Sequence, residues 1–438
     1  MKHLNQMILP AGIIALLVSC HPAPKPPVAK EVPVQVMIDG KTFADPYQWM
    51  ENTRDSGFVQ YIRHENQYCD GWFDRFDDLR RVLYTELAGR KIPETKESDS
   101  SARTLSLIEK RYFVMIERKS LVPAVRIVDI KTRSGPEREN RITFPDPDGN
   151  VTYEGYDSIK GKILLRYSSI LTPLTLYAYD PVSRKLMIRW QRKTAGYNKE
   201  DYAAKLLSAK SRDGRDVPVT ILYKQGLDNK DGTNPLLLVA AGSDSLPDPV
   251  KFNPEYISLL DRGFYVAKAF VRGAGECGPV WRSEGSGEKK MNGTSDYLDC
   301  ARFLIAQKYT SAGLITATGR SSGGIFAASA VNDQPGIFKA AILDNPGSDS
   351  LVYVPDQYIK KQEYPPMFYF AEMKGPEWSA SLPARMVAGL RKMKTGEKVL
   401  LLRTSMNNET TEPGEADPRT RKSAEMWTFV LEQYGINR

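Results

Sequence analysis

Residues Gly319-Arg320-Ser321-Ser322-Gly323 match the pattern G-x-S-x-G and lie between a short apolar strand, Leu314 to Thr318, and a helix predicted from Gly323. In this strand-turn-helix setting the pattern forms a nucleophile elbow, a sharp turn that lifts a serine hydroxyl above the edge of a sheet. Side chains at the glycines would collide with the neighbouring strand and helix, and the turn points the Ser322 N–H at a developing oxyanion. The stretch therefore predicts a nucleophile, Ser321. The alternative is a glycine-rich turn without chemistry.

Strands and helices alternate around this stretch from Leu207 to the C-terminus. The predicted strands are continuous apolar runs, which is the pattern of a parallel sheet buried on both faces. They lie at 235–240, 264–270, 314–318, 340–343, 366–371 and 399–402. Helices are predicted at about 295–307, from 323, at 383–393 and at about 420–434. The fold class is therefore α/β, with a mostly parallel, doubly wound sheet of the α/β-hydrolase kind.

The first two hundred residues have a different organisation. Two helices are predicted, one from Ser56 to Phe73 with Ser56 as a candidate N-cap, and one over about Asp77 to Gly89. From about 100 to 190 the pattern changes to short β runs broken by turn residues. The clearest runs are 111–116, 125–128, 162–167 and 174–179. An all-β segment is therefore expected before the α/β part.

The sequence lacks a suitable base for Ser321. A serine hydroxyl is a poor nucleophile at neutral pH and needs a general base. In an α/β-hydrolase the order along the chain is Ser, then Asp or Glu, then His. The three histidines, His3, His21 and His64, all precede Ser321, and His64 is predicted to be a solvated or packed residue of the first helix. A triad with histidine in the expected order is therefore excluded.

The N-terminus has the pattern of an export signal. Lys2 and His3 precede an apolar stretch from Met7 to Val18, which is too short to span a bilayer and is typical of a signal-peptide core. The stretch ends in Leu-Val-Ser-Cys at 17–20, which resembles a bacterial lipobox in which Cys20 is lipidated. An ordinary signal peptide is the alternative. The Pro-rich run that follows is predicted to be a stiff tether. We expect a periplasmic or outer-membrane lipoprotein that is anchored by its lipid in a bilayer of the bacterial envelope. The sequence does not indicate which leaflet holds the lipid.

Composition, charge and cysteine spacing indicate which partners and cofactors are not expected. The chain has 41% hydrophobic and 26% charged residues, as an ordinary globular protein does. Its net charge of +8 is spread along the chain, so no nucleic-acid partner is predicted. Cys69, Cys277 and Cys300 have no metal-ligand spacing, so neither metal nor cofactor is expected. At most one disulfide can form among them, and buried free thiols are the simpler expectation.

Several further stretches resemble the prolyl oligopeptidase family, most of all its oligopeptidase B branch. Asp45-Pro-Tyr-Gln-Trp49 with Glu65-Asn66 resembles the family's N-terminal segment. Residues 211–214, 217–219 and 231–238 resemble the start of its catalytic domain, and 259–264, 271–276 and 308–311 resemble its central block. The resemblance implies a serine peptidase in which a β-propeller covers an α/β-hydrolase domain and restricts substrates to short peptides.

The departures from the family pattern concern the catalytic residues. The block that carries the family's catalytic Asp aligns without a gap and places Gly375 at that position. The block that carries the catalytic His aligns likewise and places Thr410 there, while Ala241 stands where the family has an oxyanion Tyr. Ser321 and the Ser322 N–H remain. The resemblance thus implies that acid, base and second oxyanion donor have been lost.

Two segments are short compared with the family. The β region has about a hundred residues, and a blade of four strands needs about 40 to 50, so two or three blades fit. A closed propeller usually has four to eight. The chain is also short between Asn345-Pro346 and Tyr364, where the acidic residues that select a basic P1 side chain in oligopeptidase B are expected. That specificity is therefore not implied here.

These observations predict five segments and leave three hypotheses. The segments are a lipoprotein signal peptide (1–20), a Pro-rich tether (21–40), an N-terminal helical segment packing on the hydrolase domain (41–92), a truncated β-propeller remnant (93–200) and an α/β-hydrolase domain (201–438). The leading hypothesis is a catalytically degenerate serine-peptidase homologue that retains the fold and a cleft for short peptides. The second is an active oligopeptidase or esterase with another base, for which Lys374, Glu409 and Glu412 are candidates. The third is an interaction or scaffold role in the envelope, with an unknown protein partner.

Overall fold

The N-terminal part combines a hairpin with two helices. The fold is known from a computed structural model that describes residues 25–38, 41–91, 105–119, 121–132, 135, 138–242, 250–347, 359–373, 380–406 and 417–437. Strands β1 (Val34–Ile38) and β2 (Lys41–Asp45) pair antiparallel, and helices α1 (Ser56–Phe73) and α2 (Asp77–Gly89) follow. Both helices have the predicted bounds. The N-cap of α1 is Asp55 instead of Ser56, because its carboxylate accepts the N–H groups of Gly57 and Phe58 at 2.8 and 3.2 Å.

The Pro-rich run described from Lys25 onward lies against the C-terminal part. The Arg391 guanidinium donates to the Pro27 carbonyl at 2.9 Å, and the Trp49 indole donates to the Lys30 carbonyl at 2.9 Å. Glu31 forms an ion pair with Lys392 at 2.9 Å. These contacts hold residues 27–31 to the fold.

Two antiparallel sheets of four strands form the β region. The first sheet has the order β3-β4-β5-β6 and the second β10-β9-β8-β7. Their bounds are β3 Leu105–Ile108, β4 Tyr112–Lys119, β5 Val122–Asp129, β6 Glu139–Thr143, β7 Asn150–Asp157, β8 Lys162–Ser168, β9 Thr175–Asp180 and β10 Lys185–Gln191. One face of each sheet contributes to a shared core that includes Val114, Ile127, Leu165 and Tyr167. The two sheets are therefore packed face to face.

An eight-stranded sheet forms the centre of the C-terminal part, in the order β11-β12-β14-β13-β15-β16-β18-β20. The bounds are β11 Tyr202–Lys210, β12 Asp216–Lys224, β13 Leu236–Ala240, β14 Tyr265–Ala269, β15 Ile315–Arg320, β16 Phe338–Asp344, β18 Met367–Glu372 and β20 Leu400–Ser405, while β17 (Gln362–Glu363) and β19 (Lys394–Thr395) form a separate small pair. The pairs from β14 to β20 are parallel, and β12 pairs antiparallel with both β11 and β14. The predicted mostly parallel α/β sheet is thus present.

Helices cover both faces of this sheet. They are α3 (Ile257–Leu260), α4 (Pro279–Ser283), α5 (Met291–Ala306), α6 (Ser322–Asp333), α7 (Ser381–Met393) and α8 (Pro418–Gln433). Residues of α5, α6 and α7 share one core with alternate strand residues such as Ala317 and Leu343. Residues of α2, α3 and α8 share another core with residues of opposite parity, such as Ile342 and Phe368. The chain is therefore doubly wound about the sheet.

The three cysteines that the structure describes form no disulfide. Cys69 and Cys300 are buried and Cys277 is partly buried. Burial raises the pKa of Cys69 and of Cys300 above the ordinary thiol value. A thiol that stays protonated is a poor nucleophile, so both side chains act as small apolar groups.

Two aspartates in the loop between β6 and β7, Asp146 and Asp148, are buried against the residues that follow β8. Asp146 accepts hydrogen bonds from Ser169 at 2.6 Å and from Lys199 at 2.7 Å. Burial alone would raise the pKa of Asp146, but these bonds, together with one from Thr172, lower it. Asp148 accepts from the Ile170 N–H at 3.1 Å. Burial raises the pKa of Asp148 to about 6, although the Ile170 N–H, the Thr220 hydroxyl and Lys268 act to lower it.

Because the pKa of Asp146 is lowered and that of Asp148 is raised, replacing the two residues by asparagine is predicted to have opposite effects on stability. Since the folded-state pKa of Asp148 lies above the unfolded value of about 3.9, its stabilising contribution is present below pH ~4 and is lost as the pH rises to ~6. Asp148→Asn is expected to raise the free energy of unfolding at pH 7 by up to about 3 kcal/mol and to flatten that decline. Urea denaturation between pH 4 and 8 measures both. Asp146→Asn is the matched control and should lower stability at pH 7. Equal losses in both variants would contradict the assignment.

Candidate functional site

Ser321 occupies a strained turn between β15 and α6. Its backbone has φ 54° and ψ −129°, a conformation that residues other than glycine rarely adopt. The Ser321 N–H donates to the Asp344 carbonyl at 3.1 Å, which fixes the turn against the end of β16. The Ser321 hydroxyl lies 3.4 Å from the Gly347 carbonyl, to which it donates. The sequence pattern thus has the local geometry of a nucleophile elbow.

The glycines of the turn are required by close contacts between backbones. A Cβ at Gly319 would lie 2.3 Å from the Gly323 carbonyl oxygen, and a Cβ at Gly323 would lie 2.5 Å from the Ala240 carbonyl oxygen. Neither backbone group can move away without disturbing the sheet or α6. The pattern G-x-S-x-G is therefore a steric requirement of this turn.

The Ser322 N–H is the donor that remains beside Ser321. Ser322 is the first residue of α6, and first-turn N–H groups have no acceptor within their own helix. Such groups carry the positive end of the helix dipole, which suits an oxyanion. The Ser322 hydroxyl is buried and has no hydrogen-bond partner among the described residues.

Ala241 lies next to the elbow but cannot supply a second donor from its side chain. It follows β13, and its N–H is engaged by the Ala269 carbonyl at 2.9 Å. Its methyl group belongs to a small core cluster with Leu121 and Phe270. The next residue, Gly242, approaches α6 so closely that a Cβ there would lie 2.5 Å from the Gly323 nitrogen. The structure therefore brings Ala241, Ser321 and Ser322 together.

The other residues predicted for the site, Gly375 and Thr410, lie outside the described residues, as do Cys20 and the candidate bases Lys374, Glu409 and Glu412. The strands that precede them are described. Gly375 follows β18, which ends at Glu372, and Thr410 follows β20, which ends at Ser405. Both strands are parallel to β15, so their carboxyl ends meet the same edge of the sheet as Ser321. The described strands that precede both positions thus end at the sheet edge that carries the elbow.

The histidine that the structure describes, His64, is exposed on α1. Instead of histidine, the sheet edge next to Ser321 carries an ionic cluster that the sequence pattern did not identify. Lys422 of α8 lies 2.5 Å from an Asp344 oxygen and 3.8 Å from a Glu372 oxygen. The sequence feature that could have indicated this cluster is Asp344, an acid directly after the apolar run of a parallel strand.

A partly buried carboxyl group extends this cluster on the α8 side. Glu255 accepts a hydrogen bond from the Ser423 hydroxyl at 2.8 Å, and burial raises its pKa above the ordinary value.

Among the described residues, no group of His, Cys, Asp and Glu side chains is placed to hold a metal ion.

A cavity of about 830 Å³ lies along α6, with α5 on one side and α7 on the other. Its wall is largely apolar and includes Ile325, Phe326, Met386 and Leu390, and Ser322 also lines it, whereas Ser321 does not. Cavities of this size and polarity are typical of sites for small ligands.

Comparison with known proteins gives the same relationship as the motifs. Residues 250–376 match the prolyl oligopeptidase family. "Protease 2" of Moraxella lacunata is 27% identical over 319 residues, which are 65% of this chain and 46% of the relative. "Dipeptidyl aminopeptidase BI" of Pseudoxanthomonas mexicana is 28% identical over 302 residues, which are 62% of this chain and 42% of the relative. The chain thus spans about half the length of these curated relatives.

A solved structure is similar in fold. Oligopeptidase B from Trypanosoma brucei superposes with a TM-score of 0.62 at 24% identity, over 76% of this chain and 53% of that one. The predicted resemblance to the prolyl oligopeptidase family is confirmed.

No helix in the described part of the chain is both long and apolar enough to cross a bilayer.

Proposed function

We propose that this chain, a relative of the serine peptidases of the prolyl oligopeptidase family, is a degenerate homologue that keeps the fold and a peptide cleft but not triad catalysis. The observation that carries the proposal is an elbow serine at the sheet edge without a histidine to activate it. Ser321 has elbow geometry, whereas the sequence supplies no histidine after His64. Gly375 and Thr410, which align with the family's acid and base, have no side chain suited to either role.

The chemistry of Ser321 supports this proposal. Its hydroxyl donates to the Gly347 carbonyl, and a carbonyl oxygen cannot take the proton away during attack. In a serine protease whose triad was removed, the rate fell by about 10⁶, and the residual 10³ to 10⁴ over water came from the oxyanion hole and binding. Removal of one oxyanion donor costs a further factor of about 10² to 10³, and Ala241 offers no side-chain donor.

The described ion pairs do not supply a substitute base. Lys422 is engaged with Asp344 and with Glu372, so its ammonium would first have to leave both carboxylates. Asp344 is engaged in turn with Lys422 and Asn345. Both groups are thus committed to the structure of the sheet edge.

The β region and the N-terminus complete the proposal. The two four-stranded sheets are interpreted as two blades of a truncated propeller, which is fewer than a closed ring requires. The lipobox-like segment at 17–20 favours a lipid anchor at Cys20 in a bacterial envelope, and the cavity beside Ser322 favours short peptides as ligands.

A fluorophosphonate probe tests the loss of catalysis. The probe reports the nucleophilicity of Ser321 without any assumption about the substrate. We expect no labelling above that of Ser321→Ala under conditions in which a prolyl oligopeptidase is labelled completely. A near-ultraviolet circular dichroism spectrum shared by the two chains is the control for folding. Labelling of Ser321 at a rate typical of serine hydrolases would refute the proposal and favour an active hydrolase with a base other than histidine.

A further inference from the structure

The first sheet of the β region has a row of apolar residues on its outer face. Val114 and Ile127 point into the core between the sheets, so their neighbours of opposite parity point outward. The apolar ones are Leu105, Leu107, Phe113, Met115 and Val128, and the side that carries them is here called the first outer face. Register places Leu105 opposite Met115, and Leu107 in one row with Phe113 and Val128. Leu105 and Leu107 are 56% and 51% exposed.

The second sheet has a comparable face on its own outer side. Leu165 and Tyr167 point into the core, and the opposite side carries Leu164, Leu176, Met187 and Trp190, here called the second outer face. Ala178 lies between Leu164 and Met187 in one row, and Leu176 pairs with Trp190 in the next. Met187 and Trp190 are 47% and 49% exposed and lie on the edge strand β10.

Both outer faces mix apolar and charged residues. The charged residues of each face pair with each other: Arg126 with Glu117 and Glu139, and Arg141 with Glu117, on the first, and Arg166 with Glu154, and Lys162 with Asp180, on the second. Protein interfaces are about as apolar as the rest of a protein surface, so faces of this mixed composition can pack on each other. Since the charges are paired within each face, the apolar residues remain for contact with a partner.

We propose that a second copy of this chain covers these faces. The first outer face of each copy packs on the second outer face of the other, and the four sheets close into a ring about a two-fold axis. The same two sheets already pack face to face within one chain, through the core that contains Val114 and Leu165. First and second sheets therefore alternate around the ring, and each contact between copies repeats the contact within a copy. Radial arrays of four-stranded sheets close with four to eight members, and two copies supply four.

The area of the faces favours the ring over contact through one face. Four strands of about seven residues, spaced by about 4.8 Å, cover roughly 400 Å². Contact through one face would bury roughly 800 Å² in total, which is the range of unspecific contacts. A ring uses both faces of both copies and buries roughly 1,600 Å², which is the size of a standard stable interface. Only the closed arrangement reaches that size.

Light scattering on the purified full-length chain, in a detergent above its micelle concentration and over a concentration series, tests the ring. We expect a protein mass twice that of one chain. Leu107→Glu on the first outer face, or Met187→Lys on the second, should weaken the dimer by at least about 100-fold, because each places an unpaired charge in both contacts. Both side chains are about half exposed, so the single copy should keep its circular dichroism spectrum.

Two controls make the test specific. Ile159→Glu and Val182→Lys introduce the same charges at turns of the second sheet, where the parent side chains are 96% and 83% exposed, and should leave the mass unchanged. The double variant L107E/M187K should regain dimer, because the ring places each new carboxylate in the contact that receives the new ammonium group. A parent chain with the mass of one copy would overturn the proposal whatever the variants do. A dimer that survives both single substitutions, or a double variant that stays monomeric, would also overturn it.

Discussion

A chain carrying Gly375→Asp and Thr410→His is expected to hydrolyse an activated ester through Ser321 faster than the parent chain by a factor of about 10² to 10⁴, the range that a positioned general base contributes. The two positions follow β18 and β20, whose carboxyl ends lie at the same sheet edge as the elbow. A histidine at 410 would accept the Ser321 proton, and an aspartate at 375 would orient it. Initial rates with a p-nitrophenyl ester measure the gain.

The single substitutions should not share the gain equally. In a serine protease, removal of the base is far more harmful than removal of the aspartate. Thr410→His alone should therefore restore a small part of the rate and Gly375→Asp alone none. The same pair in a Ser321→Ala background is the control for hydrolysis by a surface histidine. An equal gain in that background would show that 375 and 410 are not the lost acid and base positions.

The position proposed to have lost the oxyanion tyrosine is not as easily restored. Ala241 is 3% exposed and shares a small cluster with Leu121 and Phe270. A tyrosine ring there would overlap this packing, so the repaired chain should stay well below the rate of a complete peptidase.

Removal of a buried ion pair between α1 and α7 is expected to destabilise the chain by about 3–5 kcal/mol. The Glu65 carboxylate is inaccessible to solvent, and the Arg391 guanidinium binds it through both of its terminal nitrogens, one of them at 2.7 Å. Glu65→Ala leaves the guanidinium buried without a counter-charge. A loss of this size is a large part of the 5–15 kcal/mol that holds a typical domain. Guanidinium denaturation followed by tryptophan fluorescence measures it.

The neighbouring residue provides a matched control. Lys392 forms an ion pair with Glu31 at 2.9 Å, and both side chains are more than 40% exposed. Lys392→Ala should change the free energy of unfolding by less than about 1 kcal/mol. The double variant Glu65→Leu with Arg391→Met should recover part of the loss, because it buries no charge. Similar losses from Glu65→Ala and Lys392→Ala would contradict a special role for burial.

The elements that the sequence predicts well are those fixed by local pattern. The 3.6-residue period of α1 and α2, the apolar runs of the parallel strands and the strand-turn-helix around Ser321 all depend on residues close in sequence. The sequence predicts Ser56 as the cap of α1, whereas Asp55 holds that position in the structure, because neighbouring residues with similar capping side chains compete for it.

The parts of the site that the pattern did not identify depend on distant residues. Lys422 and Asp344 are separated by 78 positions, and only the packing of α8 against the sheet edge brings them together. The buried Asp148 likewise looks like a turn residue in the sequence, since Asp-Pro-Asp-Gly at 146–149 is a typical turn. Burial, which decides its chemistry, comes from the β8 end folding back over it.

The contacts of α1 also have a consequence for how the chain is completed during synthesis. The Asn66 amide pairs with both backbone groups of Thr404, and Asp70 pairs with Arg403. These partners are separated by 338 and 333 residues along the chain. At 5–20 residues per second, a ribosome adds such a length in about 20 to 70 s. During that interval the contacts between α1 and β20 cannot form, so the packing of this helix is completed only when the last strand of the sheet has been made.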